Sequence, residues 1–374
     1  MRKEAVLHFA GSETDANLLY ASGFAAGDPF PFFVIDGRRF LVASDLEIDR
    51  AKRTARADEV LSFSELQKRL KERGRESVDF IEATAEALRE RGVDAVTVPA
   101  DFPVEAADRL RGAGFRVGWR KSPFYPERVL KRPDEVEHCR ASLQAAERAT
   151  GRGIAMIRAS EARGGSLWLD GAPLTSERVK AAINGSLLED GCFCGTVIVA
   201  GGEQACDPHE TGHGPLPAGR PIILDVFPRS LTSHYWGDMT RTVVKGRAAP
   251  EARKLFDVVM EALRRMLAAI RPGVKGEELQ RATVEFFDKE GFPTRNREGR
   301  MEGFFHGLGH GVGLDIHEAP SLKVDKEGLK PGMVLAVEPA LYYPGIGGVR
   351  EEDLVVVREG GIENLSKLEH AFEV

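Results

Sequence analysis

The chain has 374 residues, 42% of them hydrophobic and 29% charged, an ordinary composition for a water-soluble protein of one large or two ordinary domains. Lys and Arg total 52 against 58 acidic residues; the net charge of −6 offers no basic footprint for nucleic acid. No apolar run approaches the ~20 residues that span a bilayer, and Met-Arg-Lys-Glu-Ala-Val-Leu-His at the start has no signal-like apolar core, so the expected location is cytoplasmic.

The first part alternates short strands, turns and helices. Strands are expected at 32–35 and 40–43, joined through Asp36-Gly37 as a hairpin, and another at 95–98; helices are expected at 64–72, 79–91 and 103–112. That pattern is α/β. His8 stands alone and the acids lie on solvated helix faces, so this part is expected to serve gating or subunit pairing. Lys121-Ser-Pro-Phe-Tyr-Pro126 then breaks the pattern, and the expected boundary lies near residue 126, giving domains 1–126 and 127–374.

The second part reads as one layout used twice, an α+β arrangement of helix, helix, strand and strand. Helices at about 134–158 and 175–190 precede strand-edge acids Asp225 and Asp238; helices at about 250–270 and 276–290 precede Glu338 and Glu352. Leu216-Pro-Ala-Gly219 lies nine residues before Asp225, as Leu329-Lys-Pro-Gly332 does before Glu338. His209-Glu-Thr-Gly-His-Gly214 echoes His306-Gly-Leu-Gly-His-Gly311. Such a duplication places the acids about a pseudo-twofold axis, a natural place for two ions. Cys192 and Cys194 form a Cys-x-Cys pair with no second pair to complete a zinc site, so all four cysteines, with Cys139 and Cys206, are expected to be buried thiols.

Residues 306–317 carry the densest chemistry: His306, His310 and His317, with glycines at 307, 309, 311 and 313. Alternating glycine lets a backbone pass close to a ligand or another strand, and imidazole ligates metals or carries protons near neutral pH. The glycine spacing matches neither a dinucleotide fingerprint nor a phosphate loop.

Taken in order, His209, Asp225, Asp238, His306, His310, His317, Glu338 and Glu352 resemble the dinuclear metallopeptidases of the methionine aminopeptidase and prolidase superfamily, with the pita-bread fold. The additional first domain, similar to the creatinase type through Asn17-Leu-Leu-Tyr20 and Gly23-Phe24, and the ending Gly-Val-Arg-Glu-Glu-Asp resemble the Xaa-Pro branch, aminopeptidase P and prolidase. The resemblance implies five metal ligands, Asp225, Asp238, His310, Glu338 and Glu352, holding two divalent ions (Mn2+, Co2+ or Zn2+) with a bridging hydroxide. It also implies Glu338 as general base, His209, His306 and His317 as substrate-facing histidines, and Arg350 as an ion-pair partner behind the ligands. His213 and His234 fall outside the set; His8, His138 and His370 are given no role.

The expected substrate is a peptide or dipeptide with proline second, cut at its Xaa-Pro bond, and the expected assembly is a homodimer. Glycines of 306–317 are expected to leave room for the pyrrolidine. The chain departs from the family's Asp-x-Gly pattern by reading Asp225-Val-Phe-Pro, with a longer loop to Asp238 whose Tyr235 and Trp236 are a candidate cleft wall. A creatinase-type C–N hydrolase and a non-peptidase binding protein on the same fold are the alternatives; retention of all five ligand positions argues against both.

Overall fold

The computed structural model describes residues 3–374, which form two compact units divided after Arg128. In the first, six strands make one sheet in the order Glu59–Ser62, Arg38–Ala43, Phe30–Ile35, Lys3–Ala10, Val93–Pro99, Arg116–Arg120. The hairpin turn has Asp36 at φ 49° and Gly37 at φ 81°, the left-handed pair that a tight two-residue turn needs. Asp79 opens the helix Phe80–Glu90 with a capping box: its carboxylate accepts from the Ile81 and Glu82 N–H groups while the Glu82 side chain accepts from its own.

The strand Lys3–Ala10 was not among the expected elements, because His8 interrupts its apolar run. Its imidazole is wholly buried with Nε2 3.0 Å from the Tyr125 hydroxyl, and burial pushes its pKa down to about 3. A neutral ring with one hydrogen bond is tolerable in a core strand; a charged one is not.

In the second unit, helices Pro133–Ala159 and Ser176–Glu189 pack against the strands Ile198–Gly201, Ile222–Val226 and Met239–Val243. Helices Pro250–Ala269 and Gly276–Lys289 pack against a sheet ordered Glu318–Ser321, Gly309–Gly311, Val334–Val337, Asp353–Arg358, Gly361–Asn364. Both first helices start at proline, whose missing N–H is no loss there. The duplicated helix-helix-strand-strand layout is therefore present.

Strand alternation decides which face carries chemistry. Ile222, Leu224 and Val226 enter the helix-side core, while Ile223 joins a cluster on the other face and Asp225 lines a cavity. In the second half Leu335 and Val337 face the helices, and Glu338 begins the next step on the other side. Truncating one of the buried leucines, such as Leu224, would cost about 2–5 kcal/mol.

Candidate metal centre and its pocket

Strand register brings the acids together. Asp225 lies within Ile222–Val226, opposite Thr240, rather than at the strand edge expected from sequence. The ladder ends at Val226 and Met239, so one further step sets Phe227 across from Asp238. In the second half the last pair is Val337 and Asp353, so the next step sets Glu338 across from Glu352. His310 sits between them on Gly309–Gly311, paired with Ala336 and Ser321.

The alternating glycines serve packing more than access. A Cβ on Gly309 would lie 1.9 Å from the Ala336 carbonyl oxygen, and one on Gly311 would lie 2.3 Å from that of Ala319. One on Gly313 would meet the Glu318 carboxylate at 2.5 Å. Among the four only Gly307 borders the cavity, which corrects the expectation that glycines jointly make room for a substrate ring.

His310 points its lone pair at the acids. Its Nδ1 lies 3.2 Å from the Gly311 carbonyl, which only accepts, so Nδ1 carries the proton and Nε2 does not. That Nε2 is 3.7 Å from Asp238 Oδ2 and 3.8 Å from Glu338 Oε1. Burial pushes the imidazole pKa down to about 4, and three groups of opposed lone pairs are left facing one another. Asp238, His310 and Glu352 offer ligand atoms all within 4.8 Å of one another.

The carboxylates carry the strain of this crowding. Burial, then Glu352 and Asp225, raises Asp238 well above the usual range; burial, then Glu352, does the same for Glu338. Glu352 is pushed up to about 7, by burial and then by Asp225. Asp225 Oδ1 is buried without a protein partner. Carboxylate oxygens, one imidazole nitrogen and an orphaned buried acceptor are the donor set of a divalent cation site, so the residues fit such an ion.

Arg350 lines the same cavity beside Asp225. It donates to Asp225 Oδ2 at 2.6 Å, to the Tyr342 hydroxyl at 2.9 Å and to the Pro208 carbonyl at 3.3 Å. Tyr342 is also 2.9 Å from His306 Nε2, and His306 Nδ1 is 2.8 Å from the Gly307 carbonyl. The direction of the chain is fixed: Arg350 to Tyr342 oxygen, Tyr342 O–H to His306 Nε2, and His306 Nδ1–H to Gly307. Burial pushes the His306 pKa down to about 3, so the ring stays neutral. Tyr342 was missed because Ala-Leu-Tyr-Tyr reads as plain core; only its interval of four residues after Glu338 hinted otherwise.

His209 and His317 line the same cavity, of about 650 Å3, and the His317 and His310 rings meet edge to face at 4.3 Å. Burial and then the neighbouring His209 lower the His317 pKa. Tyr235 and Trp236 are not in the cavity wall. Tyr235 donates to Glu135 Oε1 at 2.7 Å, the Trp236 indole donates to the Leu314 carbonyl at 3.1 Å, and a Cβ on Gly237 would lie 2.3 Å from Leu143 N. The loop is packed on the helix Pro133–Ala159, and Phe227, just ahead of it, reaches the cavity, which Phe305 also lines.

Beneath Glu352 lies a buried ion cluster. Arg241 donates to Asp353 Oδ1 at 3.0 Å and to the Glu352 carbonyl at 2.6 Å, and His370 bridges Glu351 Oε2 at 2.5 Å and Asp353 Oδ1 at 3.3 Å. Despite the opposing effect of burial, hydrogen bonds to Asp353 and Glu351 hold the His370 pKa up at about 9. Sequence gave His370 no role, since its partners are distant in the chain.

Residues 137–359 match the model of metallopeptidase family M24. The chain is 36% identical over 174 residues to the Xaa-Pro dipeptidase of Pyrococcus furiosus, covering 46% of this chain and 47% of the relative, so it spans about half that relative's length. Its fold is similar to the crystal structure of an X-Pro aminopeptidase from Thermotoga maritima MSB8, with TM-score 0.81, 24% identity and coverage of 100% and 98% of the two chains. It is likewise similar to the Xaa-Pro dipeptidase from Bacillus anthracis, with TM-score 0.82, 22% identity and coverage of 100% and 95%. These bear out the family resemblance and the fold drawn from the sequence, and the chain belongs to metallopeptidase family M24.

Proposed function

We propose that this protein is an exopeptidase dependent on two divalent ions, which removes the first residue from peptides or dipeptides with proline second. The observation that carries the reading is one cavity lined by Asp225, Asp238, Glu338 and Glu352, with the unprotonated Nε2 of His310 3.7 Å from Asp238 and 3.8 Å from Glu338. The Xaa-Pro dipeptidase among the relatives supports the substrate class. Asp225, Asp238, His310, Glu338 and Glu352 would hold the ions. Bound there, such ions would offset the carboxylate charge and would supply Lewis-acid activation of water and of the scissile carbonyl.

The chain's own residues do the rest. Glu338, on the cavity wall 3.8 Å from His310 Nε2, accepts the proton of the attacking water and returns it to the departing nitrogen. As in any amide hydrolysis, the proline nitrogen needs that proton to leave; the Xaa-Pro bond differs in having no N–H and carrying a ring, which the pocket must accommodate. His317 and His209 border the cavity where they donate to the substrate carbonyl oxygen as charge develops. His306 has both nitrogens engaged within the protein, so it shapes the pocket as a fixed neutral ring.

The test compares Xaa-Pro, Xaa-Pro-Yaa and Xaa-Ala peptides after metal stripping and with added Mn2+ or Co2+. Metal-restored cleavage of the proline peptides alone is expected. Equal cleavage of Xaa-Ala removes the proline assignment, and full activity of the stripped protein removes the metal. A homodimer belongs to the same proposal, tested by mass from light scattering.

A further inference from the structure

Phe227 is placed by the same register that places the acids. It lies two residues beyond Asp225, roughly 7 Å along an extended chain, and one ladder step beyond the last pair sets it across from Asp238. Half-buried, it packs its inner side on the core beneath the first sheet and turns the rest into the cavity. Ile198, on the neighbouring strand opposite Asp225, and Thr196 just before that strand also border the cavity. The backbone after the ring is fixed, because the Pro228 carbonyl accepts from Gly237 N–H at 2.9 Å and Gly237 is wedged against the first helix. An anchored aromatic with an apolar flank beside the centre is a binding surface, since it exposes area that only a bound group covers.

We infer that Phe227, with Ile198, selects an apolar side chain on the residue ahead of the scissile bond. This rests on the exopeptidase reading, in which the pyrrolidine takes another part of the same lining, formed by His306, Gly307 and Ile316. The two parts then divide the substrate. A residue held beside Asp225 and Asp238 places its side chain, rather than its amino group, within reach of a ring one or two positions along the strand. A glycine in that place leaves the aromatic face wet.

The experiment measures kcat/KM for Leu-Pro and Gly-Pro with the Mn2+-loaded full chain, for wild type, Phe227→Ala and Phe227→Leu. Wild type is expected to favour Leu-Pro. Phe227→Ala should shift the ratio toward Gly-Pro by roughly tenfold, through KM, as expected for lost apolar contact, and Phe227→Leu should recover most of the preference. A ratio unchanged by Phe227→Ala, including an equal loss on both peptides, overturns the inference while leaving the peptidase reading standing. Inactivity of the wild type on both peptides rejects the peptidase reading itself and this inference with it.

Discussion

The two halves of the second unit use the same elements yet hold their acids differently. In the second half Glu338 and Glu352 extend the ladder as a facing pair, while in the first Asp225 is inside its strand and Asp238 faces Phe227. The support differs too. Asp225 is held by Arg350 from the other half, whereas the strand starting after Glu352 is braced by Arg241, Asp353, His370 and Glu351. A duplicated layout thus yields one half that pairs acids and another that pairs an acid with an aromatic. Both halves offer carboxylates to one site, and the half with Phe227 also leaves an aromatic surface beside it.

The largest effect should come from breaking the paired half. Glu338→Gln keeps an oxygen donor but removes the base, so turnover should fall by at least ~10²-fold, with the fold retained by circular dichroism. In the other half, Asp238→Ala should reduce divalent ion binding measured by calorimetry, and unchanged stoichiometry and affinity would remove Asp238 from the ligand set.

Breaking the link between halves comes next. Arg350 and Asp225 have side chains only 4% and 12% exposed, and removing one partner of such a pair costs about 3–5 kcal/mol. Arg350→Met should lower the denaturant midpoint of the metal-free protein by a corresponding amount; a midpoint near wild type would show that Asp225 does not depend on it.

The brace behind Glu352 predicts a pH dependence. His370 has its folded pKa raised from 6.5 to about 9, so its contribution to stability is full below about 6.5 and is lost as pH rises through about 9. Thermal melting of His370→Asn across that window should show a smaller decline than wild type. Parallel curves would mean that the imidazole does not titrate against Glu351 and Asp353.

The smallest effect should come from the loop once expected to wall the cleft. Tyr235→Phe removes a buried hydrogen bond to Glu135 and should cost about 0.5–1.5 kcal/mol of stability, or somewhat more because Glu135 is charged. Peptide selectivity should not change. A change in Leu-Pro to Gly-Pro preference would return the loop to the pocket wall.

By itself the sequence determined what depends on neighbours in the chain. The longer helices, the Asp36-Gly37 turn, the two-part layout and the grouping of acids with apolar strands follow from periodicity and local backbone preference, whereas the strand Lys3–Ala10 did not show in it. Only the tertiary structure decided what depends on register and on distant partners. It put Asp225 inside a strand, gave the glycines to strand packing, turned the His310 lone pair toward the acids and recruited Tyr342 and His370. It also exchanged Tyr235 and Trp236 for Phe227 at the cavity. The reason is that a side chain's face depends on a period of two residues, and its protonation on burial and on charges far away in sequence, neither of which a local pattern contains.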